Sequence, residues 1–403
     1  MMCTNITLPD AVRDALNILR NAGQEAYVVG GCVRDALLGH LPDDWDITTS
    51  ATPAEMTDIF ADYRVLPTGI QHGTMTVLIN GLSLEITTFR TEGTYTDGRH
   101  PDRVSFSRSL SEDLSRRDFT VNAIAFTQED GIVDPFGGVD DIKMRRLRCV
   151  GNASERFQED ALRILRALRF SSTLSFTIEA LTAQAILQYV PLLQRISPER
   201  ITAELSKLLM GDGASSVLLE FSPVFSYLFS SIPFDVDDAW ERSCQALAVA
   251  PFDFSIRLAL LHAFCRDPLA AFDGTQQRLR LDKVTRERVR LLLENCKEPI
   301  NDPLLLKRLI ARIGWDAARH QLQFHKAWQL EENDDLITTL DYLLKSGACC
   351  TINALAINGD DLIAAGFPTG AAIGHLLHKA LYAVMEERVA NHRETLLQYL
   401  SNE

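Results

Sequence analysis

Two aspartates in the run DDWDITT, Asp44 and Asp46, stand two positions apart. On the β-strand that this run predicts, residues i and i+2 point to the same face of the sheet. Two carboxylates held this close repel each other unless a cation lies between them, and such oxygen ligands suit Mg2+ with phosphate as a shared ligand. Glu85, in LEITTF on a neighbouring predicted strand, is a candidate third ligand. The alternative is a loop cap or a solvent-facing pair, which is the usual role of a lone Asp-x-Asp.

A glycine turn precedes these aspartates. Gly30 and Gly31 follow the apolar run EAYVV and lead into the predicted helix CVRDALLG. Backbone N–H groups at such a turn, with the partial positive charge of a helix N-terminus, suit phosphate. Arg34, one turn into the helix, is placed to reach the same anion. The sequence therefore predicts a phosphate site beside a metal site, although a strand-to-helix turn commonly needs glycine for conformational reasons alone.

The elements that position these residues form an α/β pattern with a mixed sheet over residues 1–150. They are a helix over 9–22, the strand and helix around the glycine turn, the strand DWDITT, a helix near 53–60, and the runs GTMTVLING and LSLEITTFR, joined as a hairpin at Asn80-Gly81. From about residue 155 onward, apolar residues recur every three to four positions between Pro and Gly. The fold class is therefore α+β, with a mixed-sheet head followed by helices, and without a solenoid repeat or a low-complexity linker.

The composition bounds the class of protein. The chain has 403 residues, 46% of them hydrophobic, and a net charge of -14, which argues against binding nucleic acid through bulk positive charge. The segment 143–169 is locally basic, with eight basic residues against three acids, whereas the acidic surplus lies elsewhere, as in EENDD at 331–335. Its basic residues are Lys143, Arg145, Arg146, Arg148, Arg156, Arg163, Arg166 and Arg169. A polyanion held at one place fits this asymmetry, and a solvated helix face is the alternative.

The eight cysteines show no C-x-x-C pair and no spacing with histidine that suggests zinc. We expect most of them to be small buried residues in a reducing compartment. The N-terminus has no signal-peptide pattern, and no apolar run approaches the roughly 20 residues of a membrane helix. The expectation is a cytoplasmic protein.

The motifs in their order resemble the class II template-independent nucleotidyltransferases of the DNA polymerase β superfamily, which include tRNA CCA-adding enzymes and bacterial poly(A) polymerases. The matching runs are VVGGCVRDALLG, DDWDITT, TGIQHGTMTV, EITTFR, DLSRRDFTVNAIAF, DPFGGVDDI and RFQEDALRILRALRF, within residues 25–170. Each run by itself is weak, but their joint order is highly specific. INGDDLIAAGFPTGAAIGHLLHKAL and VANHRETLLQYL extend the resemblance toward the end of the chain.

The resemblance implies roles for individual residues. Asp44 and Asp46 would hold two metals, with Glu85 in the catalytic group, and Gly30, Gly31 and Arg34 would contact the triphosphate. Asp118 and Asn122 match positions that sense the ribose 2′-OH, and Arg117 lies beside them. Asp160 and Arg163 match the pair that reads the incoming base, with Glu159 orienting the arginine and Arg166 also contacting nucleotide. Lys143, Arg145, Arg146 and Arg169 are assigned to RNA.

The residue types support the base-reading role independently. On a continuous helix, Asp160 and Arg163 are three apart and therefore neighbours on one face. Together they offer acceptors and a rigid fork of donors, enough to contact the pairing edge of C or A without a nucleic-acid template. A surface ion pair between the two is the alternative, and it would be preferred if the other motifs were absent.

The polar segment 91–113 resembles the flexible loop with which full CCA-adding enzymes switch from C to A, with an ordinary surface loop as the alternative. Enzymes that add only CC usually lack this loop, and HGTMTV is similar to the tRNA-enzyme form of its strand. His262 precedes Ala263, so the His-Asp dyad of an appended phosphohydrolase is absent, and we expect a core histidine.

The function implied by the resemblance is addition of CCA to the 3′ end of tRNA from CTP and ATP, with Mg2+ as cofactor and the acceptor arm as binding partner. The implied domains are a head over 1–150, a neck over 151–215, a body over 216–300 and a tRNA-binding tail over 301–403. The alternatives are an A-adding or CC-adding enzyme, a bacterial poly(A) polymerase and, in a different class, a non-catalytic RNA-binding relative. The oligomeric state is left open.

Overall fold

The apolar alternation of the first part of the chain builds a mixed sheet in the computed structural model, which describes residues 6–93, 104–232, 238–330 and 335–402. The chain divides into two compact units, Met1–Leu228 and Phe229–Glu403. The finer division into head, neck, body and tail stays a prediction. The sheet belongs to the first unit, and the second unit is helical within its described residues.

The strands of the described residues are β1 (Ala26–Val29), β2 (Asp46–Thr49), β3 (Arg64–Gly69), β4 (Thr74–Ile79), β5 (Leu82–Thr88), β6 (Arg90–Glu92), β7 (Val104–Phe106), β8 (Ala125–Thr127), β9 (Gly131–Val133), β10 (Arg146–Leu147) and β11 (Thr177–Ile178). Seven of them form one sheet in the order β3-β4-β5-β2-β1-β8-β9. Only β2 and β5 pair in parallel in this sheet; the other neighbours are antiparallel. The predicted mixed sheet is confirmed.

The hairpin prediction is confirmed at the turn between β4 and β5. Asn80 and Gly81 both have positive φ, 49° and 81°, as the two central residues of a type I′ turn require. The turn sets the antiparallel register, in which Ile79 pairs with Leu82 and Thr76 with Glu85. Val77, Ile79, Leu84 and Ile86 are almost fully buried, so one face of this hairpin is core.

The helices of the first unit are α1 (Asp10–Asn21), α2 (Gly31–Leu37), α3 (Pro53–Ile59), α4 (Leu110–Ser115), α5 (Gly138–Lys143), α6 (Ala153–Glu159), α7 (Leu162–Leu174), α8 (Ala180–Tyr189), α9 (Pro198–Leu209), α10 (Ala214–Glu220) and α11 (Ser222–Leu228). The helices predicted over 9–22 and near 53–60 are confirmed as α1 and α3. Helix α7 packs against α9 and α10, and its buried face includes Ile164, Leu165 and Leu168.

The segment predicted as a long polar loop contains regular secondary structure among its described residues. Strands β6 and β7 pair antiparallel, with Arg90 opposite Phe106, and α4 follows them. A loop over the whole of 91–113 is therefore wrong at both ends of the segment, because backbone pairing and the cap that Ser109 provides to α4 organise them. Residues 94–103 lie outside the described residues, as do Cys3 and residues 331–334 of the acidic run.

The second unit contains α12 (Ala239–Val249), α13 (Phe254–Ala263), α14 (Pro268–Gln276), α15 (Lys283–Glu294), α16 (Pro303–Ile313), α17 (Trp315–Gln329), α18 (Asp335–Lys345), α19 (Gly359–Ala364), α20 (Ala371–Met385) and α21 (Arg393–Ser401). Helix α13 packs against α12, α14, α15 and α17 and is buried on nearly all sides. His262 on α13 is fully buried between the Leu258 carbonyl and the Thr275 hydroxyl, and burial lowers its pKa to about 4. The predicted core histidine is confirmed.

No helix within the described residues combines the length and the apolar character needed to cross a membrane. Six of the described cysteines are buried, Cys349 is partly exposed, and all seven are free thiols. Burial raises the pKa of Cys32 to about 11 and that of Cys244 to about 12. The expectation that most cysteines are small buried residues is confirmed for the described part of the chain.

Candidate active site

The acidic pair lies at the start of the parallel strand pair in the centre of the sheet. Strand β2 begins at Asp46, whose register partner on β5 is Glu85. Register partners on neighbouring strands project to the same face, so these two carboxylates lie side by side although they are 39 positions apart in the sequence. Asp44 lies in a bend before the strand, so the prediction that it occupies β2 itself is wrong. Its charge still acts on Asp46.

The electrostatics of Asp46 reflect its surroundings. The strand position leaves part of its side chain open to solvent, yet the protein around the carboxyl group excludes water from its other sides. This burial, followed by the charge of Glu85 and, to a smaller degree, that of Asp44, raises the pKa of Asp46, and Arg117 opposes the shift. The site therefore has negative charge that the protein does not neutralise by direct ion pairing, since no ion pair of Asp44, Asp46 or Glu85 occurs among the described residues.

The carboxylate oxygens of this site suit a divalent cation that also binds water or substrate phosphate. All three candidate side chains supply carboxylate oxygen, the ligand type that Mg2+ and Ca2+ prefer. Within the part of the chain that the structure describes, no three His, Cys, Asp or Glu side chains form a group that could hold a metal ion. Glu85 as a third protein ligand beside Asp44 and Asp46 therefore stays a prediction. Mg2+ is commonly held by one or two carboxylates together with water and substrate phosphate.

The glycine turn lies next to a cation as well as to the sheet. Gly30 has φ +84°, and a Cβ atom built there would stand 3.0 Å from Nη1 of Arg117. Only glycine combines this backbone conformation with so close an approach. Gly31 is the first residue of α2, where its N–H is free of helical bonding. The turn thus opens onto the Arg117 guanidinium, and the predicted phosphate site gains a cation from a distant segment.

Arg34, Asn122, Asp118 and Arg166 form one connected network. Nη1 of Arg34 donates to the Asn122 amide oxygen at 2.7 Å, and the Asn122 amide nitrogen donates to Asp118 at 3.2 Å. Arg166 binds the other carboxylate oxygen of Asp118 at 2.6 Å. Burial acts to raise the pKa of Asp118, but Arg166 and Asn122 outweigh it and hold that pKa below its ordinary value. The residues predicted to sense ribose and phosphate are brought together.

Two buried aspartates that the sequence analysis missed bind residues next to this network. Asp113 on α4 is fully buried and pairs with Arg116 at 2.6 Å and with Arg117 at 3.3 Å, and the Thr48 hydroxyl donates to it at 3.2 Å. Despite burial, the two arginines lower the pKa of Asp113. The sequence signal was its place in SEDLSRRD, four residues before Arg117, on a segment that had been assigned to a loop.

The second missed residue, Asp141, explains the run DPFGGVDDI. Asp141 is fully buried, accepts from the Thr120 hydroxyl and pairs with Arg146 and Arg148. A Cβ atom at Gly138 would stand 2.1 Å from the Thr120 carbonyl oxygen, so α5 can approach the Thr120–Asn122 turn only because this residue is glycine. The run therefore supports the turn that carries Asn122.

The base-reading pair is arranged differently from the prediction. The continuous helix expected to carry both Asp160 and Arg163 is wrong, because α6 ends at Glu159 and α7 begins at Leu162. Between them, Asp160 has an extended backbone with φ −142° and ψ 105°. Its carboxylate accepts the Leu162 N–H at 2.9 Å and pairs with Arg200 of α9 at 2.7 Å, so it caps α7. Asp160 and Arg163 are consequently not side-chain neighbours on one continuous helix.

Arg163 takes its orientation from other groups. It pairs with Glu159, which also pairs with Arg156 at 2.5 Å, and it donates to the Arg116 carbonyl at 3.4 Å. The contact between Glu159 and Arg163 is the one expected from the resemblance. Asp160 and Arg163 still lie three residues apart at the same helix start, each held by a different partner.

The basic segment 143–169 is largely neutralised by its own ion pairs. Its paired residues are Lys143 with Asp140, Arg146 and Arg148 with Asp141, Arg156 and Arg163 with Glu159, Arg166 with Asp118, and Arg169 with Glu204. The acids lie partly outside the segment, so the local charge count of the sequence overstates the surface charge. Of the residues assigned to RNA, Lys143 and Arg145 are exposed, whereas Arg146 is half-buried and Arg169 is mostly buried against Glu204.

Three family models match consecutive parts of the chain. Residues 26–148 match the poly A polymerase head domain, and 175–232 match the "Probable RNA and SrmB- binding site of polymerase A". Residues 282–400 match the tRNA nucleotidyltransferase domain 2 model. The first model spans the glycine turn, the acidic pair, Asp118 and Asn122.

Similar proteins match along almost the whole chain. A CCA-adding enzyme of Leuconostoc citreum is 38% identical over 411 residues, covering 98% of this chain and 96% of the relative. The crystal structure of the Bacillus stearothermophilus CCA-adding enzyme in complex with CTP superposes with a TM-score of 0.80 at 33% identity, covering 98% of both chains. The fold is also that of the Thermotoga maritima CCA-adding enzyme complexed with tRNA, with a TM-score of 0.72 at 22% identity and coverage of 98% and 96%.

The resemblance that the ordered motifs indicated is thus confirmed by likeness over the full length. The nearly complete coverage leaves no large part of either chain without a counterpart, so the match concerns the whole enzyme rather than a shared catalytic module. This chain belongs to the family of the CCA-adding enzymes, and it is a nucleotidyltransferase.

Proposed function

We propose that this chain adds C, C and A to the 3′ end of tRNA without a nucleic-acid template, using CTP and ATP. The observation that carries the proposal is the arrangement of unneutralised carboxylates around Asp46 beside a cationic glycine turn, in a chain whose relatives are CCA-adding enzymes. Negative charge on one side suits a divalent metal, and positive charge on the other suits a triphosphate.

The reaction is attack of the tRNA 3′-hydroxyl on the α-phosphorus of the nucleotide, with pyrophosphate as leaving group. A dependence on divalent metal goes with membership of this nucleotidyltransferase family, and we assign Mg2+ on the oxygen-only donor set. Asp44 and Asp46 would hold the two metal ions, which would supply activation of the hydroxyl and neutralisation of charge on the leaving phosphate oxygens. Gly30, Gly31 and Arg34 bind and orient the triphosphate, and Arg117 neutralises its charge from the opposite side of the turn.

Nucleotide choice is assigned to the start of α7 and to the adjoining network. Asp160 offers carboxylate acceptors and Arg163 offers a fork of donors, and both are fixed by ion pairs before a base arrives. Rigid groups of this kind lose little conformational entropy on binding, so they discriminate well between hydrogen-bonding patterns. We assign the ribose contact to Asp118 and Asn122, on the neighbouring segment.

The tRNA is held by phosphate and shape contacts, since the enzyme must accept tRNAs of different sequence. We assign Lys143 and Arg145 to this contact because both are exposed, with Arg146 and Arg169 in supporting positions. The tail helices over 301–403 are assigned to the tRNA arm as well. A cytoplasmic location is proposed with this substrate, and the free thiols of the described cysteines suit a reducing compartment.

The test is an extension assay followed by sequencing of the product 3′ ends. The purified protein is incubated with Mg2+, all four nucleotides and two tRNAs, one ending at the discriminator base and one ending in CC. We expect C, C and A on the first tRNA and a single A on the second. Extension of only the second tRNA would make the protein an A-adding enzyme, addition that stops at CC would make it a CC-adding enzyme, and long A tracts would make it a poly(A) polymerase.

A non-catalytic RNA-binding relative is the competing class of function. Its discriminating measurement is release of pyrophosphate that depends on Mg2+, tRNA and nucleotide together. Binding of tRNA without such release would establish the competing class and would overturn the proposed reaction.

A further inference from the structure

One aromatic ring in the first unit is surrounded by three guanidinium groups. The guanidinium carbons of Arg34, Arg166 and Arg169 lie 5.1, 5.4 and 4.0 Å from the ring centroid of Phe170. Cation–π attraction operates within about 6 Å of a ring centroid and strengthens where water is excluded. Phe170 is 7% exposed, so these contacts lie in a largely water-free environment.

The Phe170 ring lies between α2, which is assigned to triphosphate binding, and α7, which is assigned to nucleotide choice. Arg34 extends from α2, the helix after the glycine turn, whereas Arg166 and Phe170 lie one turn apart on α7. Phe170 also makes an edge contact with Phe119 at a centroid distance of 5.8 Å. Phe119 is fully buried and directly follows Asp118. Phe170 thus contacts Arg34 of α2, Arg166 of its own helix α7, and Phe119 in the segment that carries Asp118.

Together with the hydrogen bonds already described, the ring completes a closed circuit of contacts. The circuit runs from Arg34 to Asn122, then to Asp118, to Arg166, to Phe170 and back to Arg34. A closed circuit restrains each member from two sides, so it fixes the position of a guanidinium more firmly than a single hydrogen bond does.

The contacts around Phe170 bring together the positive charges of Arg34, Arg166 and Arg169, which repel one another. Burial lowers the pKa of Arg169, and the neighbouring positive charges of Arg166 and Arg34 add to this shift against the effect of Glu204. Glu204 pairs with Arg169 at 2.8 Å and Asp118 with Arg166 at 2.6 Å, which removes part of the repulsion. The negative face of an aromatic ring offsets a further part, and an aliphatic side chain of similar size cannot.

We propose that Phe170 is a positioning residue for nucleotide binding, which holds Arg34 and Arg166 in mutual register so that the triphosphate and the sugar-base end of the nucleotide are gripped by one rigid unit. The proposal rests on the nucleotide-binding part of the proposed function. It predicts that the aromatic character of position 170, beyond its volume, sets the affinity for CTP and ATP.

The experiment compares Phe170→Leu with Phe170→Tyr, which keeps the ring, and with Phe176→Leu. Phe176 is buried to a similar degree, 3% exposed, near the end of α7, and its ring has no guanidinium contact among the described residues. The Kd of CTP is measured calorimetrically with Mg2+ and without tRNA, and KM and kcat are measured separately in the extension assay. Phe170→Met replaces Phe170→Leu as the ring-free variant if the latter does not fold.

We expect Phe170→Leu to raise the Kd and KM of CTP and ATP by roughly ten-fold, because a lost pair of cation–π contacts of ordinary strength corresponds to about that factor. The kcat should fall by less, and Phe170→Tyr should stay within about three-fold of the wild type. Phe176→Leu should lower Tm as Phe170→Leu does, with unchanged nucleotide affinity. Equal nucleotide affinity in Phe170→Leu and the wild type, or an equal loss in Phe176→Leu, would overturn the proposal.

A double-mutant cycle with Arg34→Lys supplies a second criterion. Lys keeps the charge of Arg34 but loses the planar guanidinium that lies over the ring. If Phe170 positions Arg34, the loss of CTP affinity from Arg34→Lys should be smaller in the Phe170→Leu background than in the wild type, whereas independent losses would contradict the circuit. A wild-type protein that binds CTP but extends no tRNA would contradict the proposed reaction and leave this inference open to the same binding test.

Discussion

Two groups of carboxylates in the first unit differ in whether the protein supplies a cationic partner. The unpaired carboxylates, Asp44, Asp46 and Glu85, make no ion pair among the described residues, and the pKa of Asp46 is raised by burial and by Glu85. The paired carboxylates, Asp113, Asp118 and Asp141, each bind at least one arginine. In Asp113 and Asp118 the arginines outweigh burial, and the pKa is lowered.

The difference separates residues that support the fold from residues that await a ligand. A buried charge is tolerated when the protein supplies its partner, and removing that partner is strongly destabilising. A cluster of carboxylates without a partner costs stability in the absence of ligand. A protein keeps such a cluster where an external cation completes it, which is the physical reason for assigning the metal to the unpaired group.

The largest effect is expected from Asp46→Ala. Removal of a metal-holding carboxylate should lower turnover on the order of 10³-fold or more, since metal-assisted charge stabilisation contributes several kcal/mol. Binding of tRNA should remain near normal, because the residues assigned to the RNA contact are unchanged. Mg2+-dependent incorporation of labelled CTP and a filter-binding measurement of tRNA report the two quantities.

The matched control for this prediction is Asp43→Ala, which removes an exposed carboxylate three residues before Asp46 and should leave turnover nearly unchanged. Retained catalysis in Asp46→Ala would refute the metal assignment and remove the distinction between the two groups.

Asp113→Asn tests the paired group, and its main effect should be on stability. Replacement of a fully buried carboxylate that binds two arginines leaves those cations under-compensated, at a cost of about 3 kcal/mol in the free energy of unfolding of the first unit. Urea titration followed by circular dichroism measures the change. Asp140→Asn, which breaks an exposed ion pair with Lys143, is the control and should change the midpoint little. An unaltered midpoint for Asp113→Asn would show that pairing does not support the fold.

The same aspartate gives a pH dependence of known sign. Because the pKa of Asp113 is lower in the folded state than its ordinary value of 3.8, its contribution to stability is complete above that value. The contribution is lost as the pH falls through the folded-state pKa. Urea midpoints measured at pH 7, 4 and 3 should therefore fall more steeply below pH 4 in the wild type than in Asp113→Asn. Parallel curves would show that the carboxylate has the same pKa in both states.

The smallest effect in this series is expected from Glu85→Gln, which divides the unpaired group. The amide keeps an oxygen ligand but removes the charge that helps to raise the pKa of Asp46. We expect roughly a ten-fold loss of turnover and a higher Mg2+ concentration for half-maximal activity. Ser83→Ala, on the same face of β5, should have no such effect. A loss as large as that of Asp46→Ala would make Glu85 an essential metal ligand.

Much of the local structure was predictable from the sequence because its determinants lie within a few residues. Asn80-Gly81 specifies its hairpin through two positive φ angles, and Gly30 specifies the turn before α2. The periodicity of residues 9–22 specified α1 in the same way. The order of the motifs identified the family and the type of reaction, because several weak motifs in one fixed order are far more specific than any single motif.

Pairings between distant segments decided the rest. The residues around Asp160 predict that it lies inside a helix. In the structure it lies between α6 and α7, where Arg200, 40 residues later, binds it. The sequence of the basic segment 143–169 predicts a positively charged surface. Asp118 and Glu204, which lie outside this segment, neutralise part of its charge. Neither partner can be inferred from local spacing, because its position depends on how the helices pack.

By itself, the sequence determined which chemical groups this protein has, the turns and helices that carry them, and the family whose reaction they serve. Only the tertiary structure decided that Glu85 lies opposite Asp46, that Arg117 lies against Gly30, and that three arginines contact the Phe170 ring. The physical reason is that backbone propensities act over three or four residues, whereas strand register and ion pairing are fixed by the packing of the whole unit.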